Sequence, residues 1–75
     1  TKKKKNFAQF YKLSKREQEV LFTLLKGKSS RKIAEKLFIS EGTAKNHILK
    51  IFKKTNAHSR FALLALYNSF PAEKN

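Results

Sequence analysis

The 75-residue sequence lacks cysteine, tryptophan, methionine and aspartate, and its five acidic residues are all glutamates. Without cysteine the chain can form neither a disulfide framework nor a thiolate metal site, which fits a cytoplasmic protein. With so few acidic groups, the sequence contains no Ser/His/acid set for catalysis. It also contains no Gly-rich phosphate loop and no metal-ligand spacing. We therefore expect no enzyme activity, no cofactor and no metal.

Long apolar runs are also missing. No stretch approaches the roughly 20 apolar residues that a membrane-spanning helix needs. The basic start TKKKKNFAQFYK has no long apolar segment behind it, so we do not expect it to be a signal peptide.

Positive charge is what the sequence has in excess. Eighteen Lys and Arg residues stand against five Glu, which gives a formal net charge of +13. On so small a chain this surplus attracts polyanions such as nucleic acid, an acidic membrane or an acidic protein.

The pattern along the chain predicts an all-α fold of four helices. Residues 1–12 read as a basic flexible arm or linker remnant because four consecutive lysines repel one another. The folded domain is expected at 13–70, followed by a tail at 71–75. Its first helix begins at the capping box formed by Ser14 and Glu17 and ends near Gly27.

Two further helices are predicted at Ser30–Leu37 and Glu41–Lys54, separated only by Phe38-Ile39-Ser40. Helices joined so tightly form a helix-turn-helix, which sets its second helix in the major groove of DNA. The last helix is expected from Ser59 to about Ser69, before Pro71 prevents its continuation.

The Glu41–Lys54 helix has one apolar face centred on Ile48, and its other face is polar or basic. Lys45 can donate to guanine, Asn46 can pair with adenine, and an exposed Leu49 can touch a thymine methyl. These three residues are the predicted base contacts. The predicted phosphate contacts are Ser30, Ser40, Thr43, His47, Lys50, Lys53 and Lys54. For His47 the alternative is a partly buried side chain that forms a hydrogen bond within the domain. The alternative for the face as a whole is that it binds no partner and contacts only solvent.

The segments LSKREQEVL, GKSSRKIAEKL and ISEGTAKNH, followed by Arg60, resemble the LuxR/GerE-type DNA-binding domain of the NarL/FixJ group of bacterial regulators. The resemblance covers Leu13 to about Tyr67 and implies a four-helix domain without a wing, whose third helix reads the major groove. The T-x-K of the family's recognition helix is met by Thr43 and Lys45, and Asn46 is a position that the family varies. Asn56 stands where the family usually has Gly, so it is expected to adopt the left-handed turn there.

The family's last helix commonly mediates dimerisation, so the resemblance implies double-stranded DNA and a second copy of the chain as partners. The apolar residues expected at the dimer interface are Phe61, Ala65 and Leu66. Alternatively, this face packs against Phe7 and Phe10 of the arm. RNA polymerase is a further possible partner, and family members usually carry an upstream sensory domain.

Two other functions stay open for this sequence. One is a DNA- and polymerase-binding module like sigma-factor region 4, although that region usually carries more Arg on its recognition helix. The other is binding to a membrane surface through basic amphipathic helices, which gives no reason for Asn46 or for the helix-turn-helix spacing.

Overall fold

A computed structural model describes residues 2–71 of the chain and contains five helices and no strand within that range. They are α1 (Lys2–Phe10), α2 (Lys15–Leu25), α3 (Ser30–Leu37), α4 (Glu41–Thr55) and α5 (Arg60–Ser69). The expected all-α fold is confirmed, with one helix more than the four predicted. Residues 72–75 of the predicted tail lie outside the described residues. None of the helices formed by residues 2–71 is long and apolar enough to cross a membrane.

The first turn of α2 is closed by the predicted capping box. The Glu17 N–H donates to Ser14 Oγ over 3.1 Å, and the Ser14 N–H donates to Glu17 Oε1 over 2.9 Å. Since each side chain satisfies a backbone group that the helix leaves free, α2 begins where the sequence indicates. After its end, Gly27 takes a φ of +89°, which a residue without Cβ adopts freely.

The helix-turn-helix is formed by α3 and α4. Phe38 ends α3 in a left-handed conformation, and the N–H of Ile39 donates back to the Ala34 carbonyl over 3.0 Å. Ser40 then caps α4, so only three residues separate the two helices. At the other end of α4, Asn56 adopts the left-handed conformation expected for it. The three-residue connection between α3 and α4 fixes α4 against α2 and α3.

A single core joins all five helices. It consists of Phe7, Ala8, Leu13, Val20, Leu21, Leu24, Ile33, Ala34, Ala44, Ile51, Ala57 and Leu63. On α4 the buried positions Ala44, Ile51 and Thr55 share one face. The opposite face of α4 is therefore left to solvent.

The segment predicted as a flexible arm contains α1, which packs against the core. Phe7 is fully buried, with its ring centroid 5.1 Å from that of Tyr67 and 5.2 Å from that of Phe70. The Lys3 ammonium lies over the Tyr67 ring, 4.8 Å from its centroid, and the Lys4 ammonium lies 5.0 Å from the centroid of Phe22. Aromatic burial and these cation–π contacts offset the repulsion among the lysines.

An ion pair ties the C-terminal half of α4 to α2. The Lys54 Nζ lies 2.7 Å from Glu17 Oε1 and also donates to the Lys12 carbonyl over 3.0 Å. Burial raises the pKa of Glu17, but hydrogen bonds from Lys54 and Ser14, together with the Lys54 charge, outweigh it and leave the pKa below its usual 4.5. The pair therefore stabilises the packing of α4 on α2 in the charged state of Glu17.

The substitution Glu17→Gln keeps the capping contact but removes the charge. Because the pKa is lower in the folded state, the stabilisation is complete above the unfolded-state pKa and is lost as the pH falls through the folded-state pKa. We expect Glu17→Gln to lower the free energy of unfolding by about 1–2 kcal/mol at pH 7, with partial exposure of Lys54 moderating the loss, and by less at pH 3. Urea unfolding at both pH values measures this. Glu19→Gln, which breaks an exposed pair with Arg16, is the control, and an equal loss from Glu17→Gln at both pH values would contradict the assignment.

Candidate nucleic-acid interface

The N-terminus of α4 is held by Ser40 and Thr43. The Thr43 N–H donates to Ser40 Oγ over 3.0 Å, while the Ser40 hydroxyl donates to Thr43 Oγ1 over 2.8 Å. Both side chains are exposed. The first turn of α4 therefore presents two ordered hydroxyl groups and the positive end of the helix dipole to solvent.

The three residues predicted to contact bases lie together on the exposed side of α4. Lys45 and Asn46 are exposed, and the Leu49 side chain is 57% exposed. Leu49 therefore places one exposed apolar side chain beside a lysine and an asparagine. Lys50 and Lys53 are exposed on the same helix and add two positive charges to this side.

The remaining predicted phosphate contacts have different surroundings. Ser30 is half-buried at the start of α3, and His47 is half-buried on α4. The Lys54 ammonium is engaged by Glu17 and by the Lys12 carbonyl. A phosphate contact by Lys54 would therefore compete with an ion pair inside the domain.

An open groove runs beside α4, with a volume of about 550 Å³. Lys45 and Leu49 line it from α4, and Ser29 and Ser30 line it from the start of α3. Arg60 also lines this groove, and its guanidinium donates to the Lys28 carbonyl over 3.1 Å. The sequence marks Arg60 as the start of the last helix, but nothing in the local pattern shows that it lies beside α4.

Several apolar residues of α5 are exposed. Phe61 is 82% exposed, and Leu64 and Ala65 are exposed beside it. Leu66 is half-buried and packs against the core. The arm does not cover Phe61, because Phe7 packs on Tyr67 and Phe70 at the other end of α5.

Comparison with protein-family models matches residues 11–67, more than half of the chain, to bacterial regulatory proteins of the luxR family. A nitrate/nitrite response regulator protein homolog of Haemophilus influenzae is 46% identical over 55 residues, which is 73% of this chain and 26% of that protein. The transcriptional regulatory protein DegU of Brevibacillus brevis is 48% identical over 48 residues, covering 64% of this chain and 20% of DegU.

The spore germination protein GerE of Bacillus subtilis is 41% identical over 58 residues, which is 77% of this chain and 78% of GerE. The chain thus spans about a quarter of the length of the response regulators that it matches, but most of the length of GerE. No solved structure gives a significant match.

Proposed function

Because this chain belongs to the luxR family of bacterial regulatory proteins, we propose that it binds double-stranded DNA in a sequence-specific manner, with α4 in the major groove. The observation that carries the proposal is the solvent-exposed side of α4, on which Lys45, Asn46 and Leu49 lie together. A major groove about 12 Å wide admits a helix of this kind. DNA is a polyanion, and the net charge of +13 favours binding to its phosphates.

The proposed base contacts follow from the chemistry of the three side chains. The Lys45 ammonium donates to O6 and N7 of guanine, and the Asn46 amide pairs with N6 and N7 of adenine. Leu49 lies against a thymine methyl group, which removes its apolar surface from water. Together these contacts distinguish one short sequence from others.

The proposed phosphate contacts surround these residues and fix the position of α4 on the duplex. They are made by Ser30, Ser40, Thr43, His47, Lys50, Lys53 and Lys54. For Lys54 the contact requires that its ammonium turn away from Glu17, so we expect it to contribute less than Lys50 and Lys53. The N–H groups at the start of α4 add a further favourable place for a phosphate.

Removing one phosphate-binding lysine should weaken binding to every sequence by a similar factor. Lys53→Ala is expected to weaken specific and random duplexes about equally and to reduce the slope of log K against log salt by about 1. Fluorescence anisotropy measures the affinity and the salt slope when the salt concentration is varied from about 50 to about 200 mM. Lys26→Ala is the charge-matched control, because Lys26 lies beside α1 and α5, away from α4. If Lys53→Ala and Lys26→Ala changed the affinity and the salt slope equally, Lys53 would not belong to the DNA-binding interface.

We further propose that two copies bind together through the exposed side of α5, with Phe61 and Ala65 at the contact and Leu66 next to it. The support is the exposed apolar surface of α5, which also includes Leu64. A cytoplasmic location and contact with RNA polymerase are proposed on the basis of the family. An upstream sensory domain is proposed for the case in which this chain is a fragment of a longer response regulator like those among the relatives. Neither the sigma-factor alternative nor the membrane-surface alternative has a specific observation in its favour.

A further inference from the structure

The Glu41 carboxylate lies between the beginnings of the two helices of the helix-turn-helix. The Ser30 hydroxyl donates to Glu41 Oε2 over 3.2 Å, and the Lys45 Nζ lies 3.6 Å from the same oxygen. Ser30 is the first residue of α3, and Glu41 is the first residue of α4. One carboxylate oxygen therefore engages two side chains that we assign to DNA, at a place where the positive ends of two helices favour an anion.

Glu41 is also the only acidic residue of α4, and the sequence has no other from Gly42 to Ala72. The remaining glutamates of the described residues are paired elsewhere, Glu17 with Lys54, Glu19 with Arg16, and Glu35 with Arg31 and Lys32. The proposed DNA-binding side of α4 thus carries a single negative group, and that group neutralises Lys45.

We propose that Glu41 determines how strongly this domain discriminates between its specific site and other DNA, an inference that rests on the proposed function. The carboxylate holds the Lys45 ammonium and the Ser30 hydroxyl in the free domain and in complexes with random DNA. Lys45 then adds little to the phosphate neutralisation on which non-specific affinity depends. On the specific site, N7 and O6 of a guanine, the only base edge with two acceptors in the major groove, replace the carboxylate.

The substitution Glu41→Gln removes the charge but keeps an oxygen that can accept from Ser30. With Lys45 released to phosphates, affinity for a random duplex should rise about three- to tenfold, and the slope of log K against log salt should steepen by about 0.9. Affinity for the specific site should rise less, so that the ratio of specific to random affinity falls. Fluorescence anisotropy on two duplexes of equal length, one random and one selected, measures all three quantities.

Any variant that loses a glutamate binds DNA better through net charge alone, so Glu19→Gln is the matched control. Glu19 pairs with Arg16 on α2 and contacts neither Ser30 nor Lys45. The effect of Glu41→Gln on random DNA should exceed that of Glu19→Gln, and it should shrink to the control value in a Lys45→Ala background. Circular dichroism spectra establish that each variant is folded.

Two results would overturn the role of Glu41 while leaving DNA binding intact. One is an equal effect of Glu41→Gln and Glu19→Gln, and the other is an effect of Glu41→Gln that persists undiminished with Lys45→Ala. If the unmodified chain binds neither duplex, the proposed function fails, and the role of Glu41 fails with it.

Discussion

The substitution Phe7→Ala is expected to lower the free energy of unfolding by about 3–5 kcal/mol, the usual cost of removing a fully buried phenylalanine. The Phe7 ring contacts those of Tyr11, Tyr67 and Phe70, so its loss opens a cavity between α1 and α5. A domain of this size buries only about 60% of its unfolded surface and has little stability to spare. Urea unfolding followed by circular dichroism should show a largely unfolded chain.

The control for this prediction is Phe10→Ala, one turn further along α1. The Phe10 side chain is 69% exposed, so its truncation should cost no more than roughly 1 kcal/mol. The comparison separates a helix that belongs to the folded domain from a flexible basic arm. If Phe7→Ala cost no more than Phe10→Ala, α1 would not be part of the core.

The substitution Asn46→Ala is expected to cost about 1–3 kcal/mol of binding free energy on a selected duplex and almost nothing on a random one. The reason is that the amide contributes through one base pair, whereas non-specific affinity comes from phosphates. Lys45→Ala should cost a binding free energy of the same order at a guanine of the selected duplex. It also removes one positive charge. Selection of duplexes by each variant should relax the preference at one base position.

Lys53→Ala supplies the contrast for Asn46→Ala, because it should weaken both duplexes alike. If Asn46→Ala weakened random and selected DNA by the same factor, the assigned base contact would be wrong. If it changed neither affinity, Asn46 would lie only on a solvated face of α4.

Local signals in the sequence were sufficient to predict the helix-turn-helix. Ser14 with Glu17, and Ser40 before α4, provide hydroxyl acceptors at the helix starts, and the observed caps use these groups. The left-handed ends have equally local causes, since Gly27 and Asn56 are residue types that tolerate a positive φ. The bounds predicted for α3 are also those that the structure shows.

Contacts between distant parts of the chain could not be predicted in this way. The lysines of α1 suggest a solvated arm, and what orders the segment is aromatic packing on Tyr67 and Phe70, some sixty residues along the chain. Helical periodicity places Lys54 on the polar flank of α4, but it does not show that Glu17 of α2 lies against that flank.

The pairing of Glu41 with Ser30 was likewise missed, because it depends on how α3 and α4 are placed relative to each other. The three residues proposed to contact bases could be predicted from the period of one helix alone, and the structure places them on the same exposed side of α4.

The proposed reading of a DNA sequence by the exposed side of α4 is tested most directly by selection of bound duplexes from a random pool at physiological salt. We expect an enriched inverted repeat, with half-sites spaced by about one helical turn or a related distance. A single enriched half-site would keep the base reading and contradict the α5 dimer. Binding without any enrichment would contradict the claim itself, since the net charge of +13 would then account for all of the affinity.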